Sequence, residues 1–238
     1  MKSSTERPYL WLFAILAITG FILDQTSKYG VFAYLYTEEP LFRERPHITI
    51  VEGVFQLEAL HTHERDLGDD WRSPLRTISG PCLPHVNRGA LFGIGNGDRE
   101  SGGANSIFAV ISVLAAGFII GWAYRPIVAK DWLLSLALGL ILGGTLGNLY
   151  DRVVFGGVRD FLHCWYGELD NPSFDWPVFN IADCALVCGA ALLLLHSFFV
   201  QEQVQEPVKA EQAEVSASMQ TASPLNGALE SDSRAKLL

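Results

Sequence analysis

Charge is scarce in this chain of 238 residues: Asp, Glu, Lys and Arg make up 18%, against about 25% in an ordinary soluble domain. The shortfall argues against a disordered chain and against a typical soluble globule. Basic residues are the rarer sign, 17 against 26 acidic, for a net charge of −9 and no basic stripe. A nucleic-acid partner is therefore not expected. Only four Cys are present, with no Cys-x-x-Cys pair, which excludes a disulfide-dense secreted scaffold and a zinc ribbon. No His-Glu-x-x-His, Gly-x-Ser-x-Gly or phosphate-binding loop occurs. Gly93-Ile94-Gly95-Asn96-Gly97 opens no dinucleotide-binding unit.

What the chain has instead is clustered apolar sequence, 49% of its residues. A bilayer core needs roughly 20 mostly apolar residues per helix. Four segments qualify: 9–23 with an amphipathic continuation to 36, then 107–124, 132–150 and 179–200. The first is not a cleavable leader, because Asp24-Gln25-Thr26-Ser27-Lys28 follows it where a small-x-small site would stand. Lys2 and Arg7 flank the first span, and Arg125 and Lys130 lie between the second and third. The positive-inside rule then puts both termini in the cytoplasm and residues 37–106 and 151–178 outside.

Within 37–106, residues 51–60 read as a strand, and the turn-plus-apolar stretch from Val86 to Gly93 reads as a second strand-like piece. Residues 61–84, rich in His, Arg, Asp and Pro, interrupt them and look like a surface insertion. Residues 201–238 turn to Gln, Glu, Ala and Ser and form a disordered cytoplasmic tail, leaving 1–200 as the membrane domain. Cys82 and Cys164 share the oxidising side in this topology, which leaves a disulfide between them open.

Ionisable residues at membrane depth are costly and raise a functional hypothesis. Asp24 and Lys28 are four apart and share a helix face, as a salt bridge ending the span or as part of a site. Gly143-Gly144-Thr145-Leu146-Gly147-Asn148-Leu149-Tyr150-Asp151-Arg152 closes the third span. Its glycines permit close helix packing. Asn148 and Arg152 face one way and the adjacent Asp151 another. Asp160 follows in Gly157-Val158-Arg159-Asp160-Phe161, and Asp183 in Phe179-Asn180-Ile181-Ala182-Asp183. Asn180-x-x-Asp183 also reads as a helix N-cap with an acid at N3. Two carboxylates at neighbouring span ends can share a proton, one acting as base toward water and one as acid toward a carbonyl.

Together these pieces resemble the bacterial lipoprotein signal peptidase, or signal peptidase II, family. Its Asp-Gln-x-Ser/Thr-Lys box is matched at 24–28, its Asn-x-Gly-Ala-x-Phe box at 87–92 and its Gly-Gly-x-x-Gly-Asn-x-x-Asp-Arg box at 143–152. Both acid-bearing boxes follow, in order. The resemblance implies a membrane all-α fold of four transmembrane helices with a small extracytoplasmic β-cradle. It implies an aspartic endopeptidase of the inner membrane, monomeric and free of metal and cofactor. The enzyme would cut diacylglyceryl-prolipoproteins before the lipidated Cys, in contact with membrane lipid. Asp160 and Asp183 would be the catalytic pair. Asn87, Gly89, Asn148, Arg152 and Asn180 would hold substrate or orient the pair, and Asp24, Lys28 and Asp151 would brace the spans. The insertion at 61–84 is longer than the family usually shows there. A transporter with the acids lining a polar path, or a noncatalytic assembly protein of the same fold, are the alternatives; acids gathered at one membrane face speak against the first, and retention of both acids against the second.

The topology has a direct test. Reporter fusions at residue 200 should score as cytoplasmic and fusions within 66–80 as external; the reverse pattern would overturn the assignment.

Overall fold

The computed structural model describes residues 7–36, 46–62, 66–89, 103–168 and 171–198. The tail from 201, the flanking Lys2, and residues 90–93 of the strand-like piece lie outside them. Four of the described helices are long and apolar enough to cross a membrane: α1 (Leu10–Tyr34), α3 (Gly103–Ala123), α5 (Trp132–Val154) and α6 (Ile181–Phe198). The short α2 (Ser73–Thr77) and α4 (Pro126–Ala129) lie between them. The chain is thus a multi-pass membrane protein. Hydropathy located each span to within a few residues. The first span and its amphipathic continuation are one helix: α1 runs unbroken through Asp24, Gln25 and Lys28 to Tyr34, with those polar side chains buried rather than solvated.

α5 is the central helix, buried along most of its length. Leu134, Leu138 and Leu142 pack with Phe13 and Ala17 of α1 and with Ala116, Ile119 and Ala123 of α3. The outward faces of α1 and α3 carry Ile15, Ile18, Val110, Leu114 and Phe118, all exposed, as a lipid-facing surface requires. Lipid supplies no hydrophobic force between helices, so close backbone approach matters more. Glycines provide it. A Cβ on Gly143 would lie 3.0 Å from the Ala17 carbonyl, and one on Gly144 would run into the Ala182 carbonyl of α6. Farther along, one on Gly189 would lie 2.8 Å from the Ala137 carbonyl. The sequence box of small residues is therefore the seam joining α5 to α1 and α6.

At one end of the bundle the Tyr9 amide donates to the Ala129 carbonyl at 3.1 Å, and the Arg7 guanidinium lies 5.7 Å from the Tyr124 ring. The start of α1 and the α3–α5 connection share that side, as the basic flanks require. The opposite end carries a four-stranded antiparallel sheet in the order β1 (His47–Val51), β2 (Phe55–Glu58), β3 (Leu162–Glu168), β4 (Asn171–Asp175).

The sheet corrects two readings of the sequence. Residues 51–60 are not one strand: Val51 ends β1, and the chain reverses through Gly53, at φ +72°, into β2. The described part of the Val86 piece, residues 86–89, does not join the sheet; there Asn87 makes an isolated bridge to Val158. The place expected for it is taken by β3 and β4, from the segment between the two candidate acids. Their sequence hides the pattern, because β3 buries polar His163 beside Trp165. His163 joins three strands, its Nε2 2.7 Å from Asp175 Oδ1 and its Nδ1 3.3 Å from Glu58 Oε2.

Residues 61–84 are more than a surface insertion. A His61–Pro84 bridge closes the segment at its neck, α2 lies within it, and Ser79 and Cys82 are buried. Cys82 and Cys164 are both free thiols. Cys82 Sγ lies 3.8 Å from the Tyr36 hydroxyl, and Cys164 is paired with Phe55 in the sheet.

Gly144→Ala should cost about 1–3 kcal/mol, the usual price of overpacking, because its methyl meets backbone rather than a flexible side chain. Gly117→Ala, which meets nothing within 4 Å, is the control. Thermal unfolding in detergent should separate the two, and equal melting points would refute the seam.

Candidate active site

The candidate residues meet at the sheet end of the bundle, in two layers. The deeper layer is a buried charge cluster. Asp24, Lys28, Asp151 and Arg159 have no exposed surface. Lys28 Nζ donates to Asp24 Oδ2 at 2.8 Å and lies 3.4 Å from Asp151 Oδ2. The α1 spacing of four places both of its members on the face toward α5. Arg159 donates to Asp151 three times, from its amide at 2.9 Å, from Nε at 3.2 Å and from Nη2 at 2.8 Å. Its guanidinium lies against the Tyr29 and Phe155 rings, 4.2 and 3.9 Å from their centroids. Gln25 fills the remaining gaps, donating to Asp24, to Asp151 and to the Gly147 carbonyl and accepting from Arg159. Burial of charge is tolerable only when pairing and hydrogen bonding are this complete.

The upper layer holds the two acids. Asn180 Oδ1 accepts from the Asp183 amide at 3.1 Å, and Asp183 Oδ2 accepts from the Asn180 amide at 3.2 Å. This is the reciprocal capping box read from the sequence. The same Asn180 donates through Nδ2 to Asp160 Oδ1 at 2.7 Å. Asp160 Oδ2 accepts from Asn87 Nδ2 at 3.1 Å. Asn87 is aimed by paired backbone bonds to Val158, both 2.8 Å, and its Oδ1 accepts from the Gly89 amide at 3.0 Å. Gly89 sits at φ +112°, beside Phe108, where a Cβ would be both strained and obstructed.

Asn148 links the layers. Its Nδ2 donates to Asp183 Oδ1 at 2.8 Å while its Oδ1 accepts from Lys28 Nζ at 3.2 Å. Asp24 makes a second link, its Oδ1 accepting from the Ala182 amide at 3.0 Å. The α6 N-terminus is thus capped by its own Asn180 and by an acid from α1. Arg152 stands apart from Asp151, as the spacing implies. Its guanidinium lies 5.0 Å from the Phe108 ring, its Nη1 is buried with no hydrogen-bond partner, and its charge acts on both Asp160 and Asp183.

Burial, and then the neighbouring Asp183 charge, push the Asp160 carboxyl up to about 6, against the lowering effect of the Asn180 and Asn87 hydrogen bonds. Every candidate named from the sequence therefore falls in one of the two layers or beside them. Arg159, Gln25 and Ser79 were missed as contributors. Arg159 and Asp151 are eight apart across a helix end, outside any helical spacing rule. Only the cost of burying an arginine so near a candidate acid could have flagged it.

The described residues contain no group of three His, Cys, Asp or Glu side chains placed to hold a metal ion. The arrangement can move protons between two linked carboxyls and a bound water, and it offers Arg152 and Asn87 to a neighbouring polar ligand.

Residues 82–199 match the family model described as "Signal peptidase (SPase) II". The chain is similar to the lipoprotein signal peptidase of Rhodopirellula baltica, 36% identical over 198 residues that cover 79% of this chain and 71% of the relative. It is also 36% identical to that of an Anaeromyxobacter species, over 81% of this chain and 88% of the relative. A solved bacterial membrane enzyme shares the fold, with a TM-score of 0.52 at 21% identity over 82% of this chain and 91% of that one.

Removing one member of the buried cluster leaves the others uncompensated. Asp151→Asn should therefore destabilise the fold by about 3–5 kcal/mol, read as loss of folded protein in detergent. Asp70→Asn breaks only the half-exposed Asp70–Arg72 pair and should change little. An Asp151→Asn variant as stable as the parent would show that the cluster is not what holds this end together.

Proposed function

This chain belongs to the lipoprotein signal peptidase, or signal peptidase II, family, and on that premise we propose that it is an aspartic endopeptidase. It removes signal peptides from diacylglyceryl-modified prolipoproteins by cutting before the lipidated Cys. It acts in the inner membrane as a monomer, with both termini cytoplasmic, and uses neither metal nor cofactor. The observation that carries the reading is that Asn180 bonds both carboxylates, its Nδ2 donating to Asp160 Oδ1 and its backbone amide to Asp183 Oδ2.

The chemistry follows from the division of labour between the acids. Asp160, whose carboxyl is pushed up to about 6, holds the shared proton and donates it toward the oxygen of the scissile carbonyl. Asp183 takes a proton from water as the water oxygen bonds to the carbonyl carbon. The tetrahedral species then collapses. The C–N bond breaks, the proton taken up by Asp183 passes to the departing amine of the lipidated Cys, and the hydroxyl proton returns to Asp160. Asn180 keeps the carboxyls in register throughout. Arg152 Nη1, buried and unpartnered, and exposed Asn87 are the groups available to backbone carbonyls of an extended substrate. Asp24, Lys28 and Asp151 act as bracing.

Asp160→Asn and Asp183→Asn should each retain fold and substrate binding yet lose nearly all turnover of a diacylated prolipoprotein. The double variant should be little worse than either, since the acids work as a unit. Because both proton transfers run through these two carboxyls, chelators should leave turnover unchanged. Substantial cleavage by Asp183→Asn would overturn the mechanism.

A second expectation follows from pH. The folded-state value of Asp160 lies above its ordinary value of 3.8. Its contribution to stability is therefore complete below about 4 and is lost as pH rises through about 6. On the alkaline side, kcat/KM should fall as Asp160 gives up its proton, from about pH 6 upward. Thermal unfolding should show a matching loss of stability in the parent and none in Asp160→Asn; equal slopes would refute the assignment of the proton to Asp160.

A further inference from the structure

The 61–84 segment carries a buried polar contact that the proposed chemistry does not use. Ser79 is fully buried although its neighbour Ile78 is 55% exposed. Its Oγ accepts from Arg159 Nη1 at 2.9 Å, an edge of the guanidinium that Asp151 and Gln25 leave open. The loop is built to hold it there. His61 Nε2 lies 3.2 Å from the Ser79 carbonyl, and the Thr62 amide donates to the Leu83 carbonyl at 2.8 Å. Arg76 Nε donates to the Val154 carbonyl at the end of α5, and its Nη1 to the Leu67 carbonyl, both at 2.8 Å. Gly80, at φ +126°, lets the chain turn past Tyr36, where a Cβ would come within 2.9 Å of the ring.

Arg159 is the residue before Asp160, and its own amide is fixed on Asp151. Its guanidinium packs against the Tyr29 and Phe155 rings and is bonded along its edges by Asp151, Gln25 and Ser79. A planar fork so enclosed has little freedom, and the backbone that carries Asp160 shares the constraint. We propose that Ser79, delivered by the 61–84 loop, is a positioning residue for Asp160 that completes the clamp on Arg159. The loop then belongs to the catalytic support as well as to the rim. The proposal rests on the peptidase reading given above.

The test compares Ser79→Ala, Ser79→Cys and Thr77→Ala in purified full-length protein acting on a diacylated prolipoprotein in detergent. Thr77 lies in the same loop, and among the described residues its hydroxyl bonds the Ser73 carbonyl of its own helix. Ser79→Ala removes the acceptor and should lower kcat about tenfold, the scale of a small misplacement of a reacting group. KM should stay within about twofold, because substrate contacts are untouched. The alkaline midpoint of kcat/KM should move by more than about 0.3 pH unit, since Asp160 shifts against its donors. Ser79→Cys, nearly isosteric with a weaker acceptor, should fall between, and it carries the comparison alone if Ser79→Ala does not fold. Thr77→Ala should match the parent. An active parent with Ser79 variants of unchanged kcat and pH profile, even with lowered melting points, would overturn the positioning role alone. A parent inactive on this substrate would overturn the peptidase reading and this proposal with it.

Discussion

The Asp151–Arg159 pair is the constraint on which this end of the molecule depends. An arginine with no exposed surface is sustainable only where its charge is matched and its donors are occupied. Meeting both demands draws in distant parts of the chain. Asp151 comes from the end of α5, Gln25 and Lys28 from α1, Ser79 from the 61–84 loop, and Tyr29 and Phe155 pack against the guanidinium. Two acids and two bases share the cluster, so full ionisation leaves no net charge inside it. Each connection that satisfies a charge also fixes a piece of backbone, and the pieces fixed are those bearing the candidate acids.

Small residues make the arrangement geometrically possible. Asp24 has a short side chain, yet it reaches from α1 to an amide in the first turn of α6. It can do so because Gly147 lies between: a Cβ there would be 2.5 Å from Asp24 Oδ2 and 3.2 Å from the Ala182 Cβ. Packing and electrostatics are therefore one problem at this seam. The glycines bring backbones close, as membrane helix pairs require, and the same closeness lets a buried carboxylate serve two helices. A larger residue at 147 would break a cap and a salt bridge in addition to overpacking an interface.

Much of this was legible in the sequence, and the rest was hidden for identifiable reasons. The spans stand out because apolar runs of that length have few other uses. The candidate acids and their amide partners stand out because polar groups at membrane depth are expensive. The sheet was only half legible. Gly53 hides a hairpin inside what reads as one strand, and β3 places a histidine and a tryptophan on its buried side, which defeats a simple alternation rule. Arg159 was passed over because its partner lies across a helix terminus, where local spacing rules stop applying. Residues 61–84 read as surface from composition, which averages over the loop. The informative residue is one serine among exposed neighbours, and no composition rule distinguishes it.

The Asn180–Asp183 pair shows why capping and the proposed catalytic role need not compete as explanations. A capping box demands an acceptor at the N-cap and a carboxylate at N3, each facing the other's amide. Satisfying those demands leaves the Asn180 side-chain Nδ2 free to reach outward, and it donates to Asp160 Oδ1. It also leaves Asp183 Oδ1 available to Asn148, and through Asn148 to Lys28. The cap therefore holds the Asp183 carboxyl at a defined height and angle while presenting a donor to its partner acid. Helix termination supplies preorganisation that a loop would have to obtain from additional contacts. The same local rule that starts α6 brings the two acids into register, and the buried cluster beneath keeps that helix start in place.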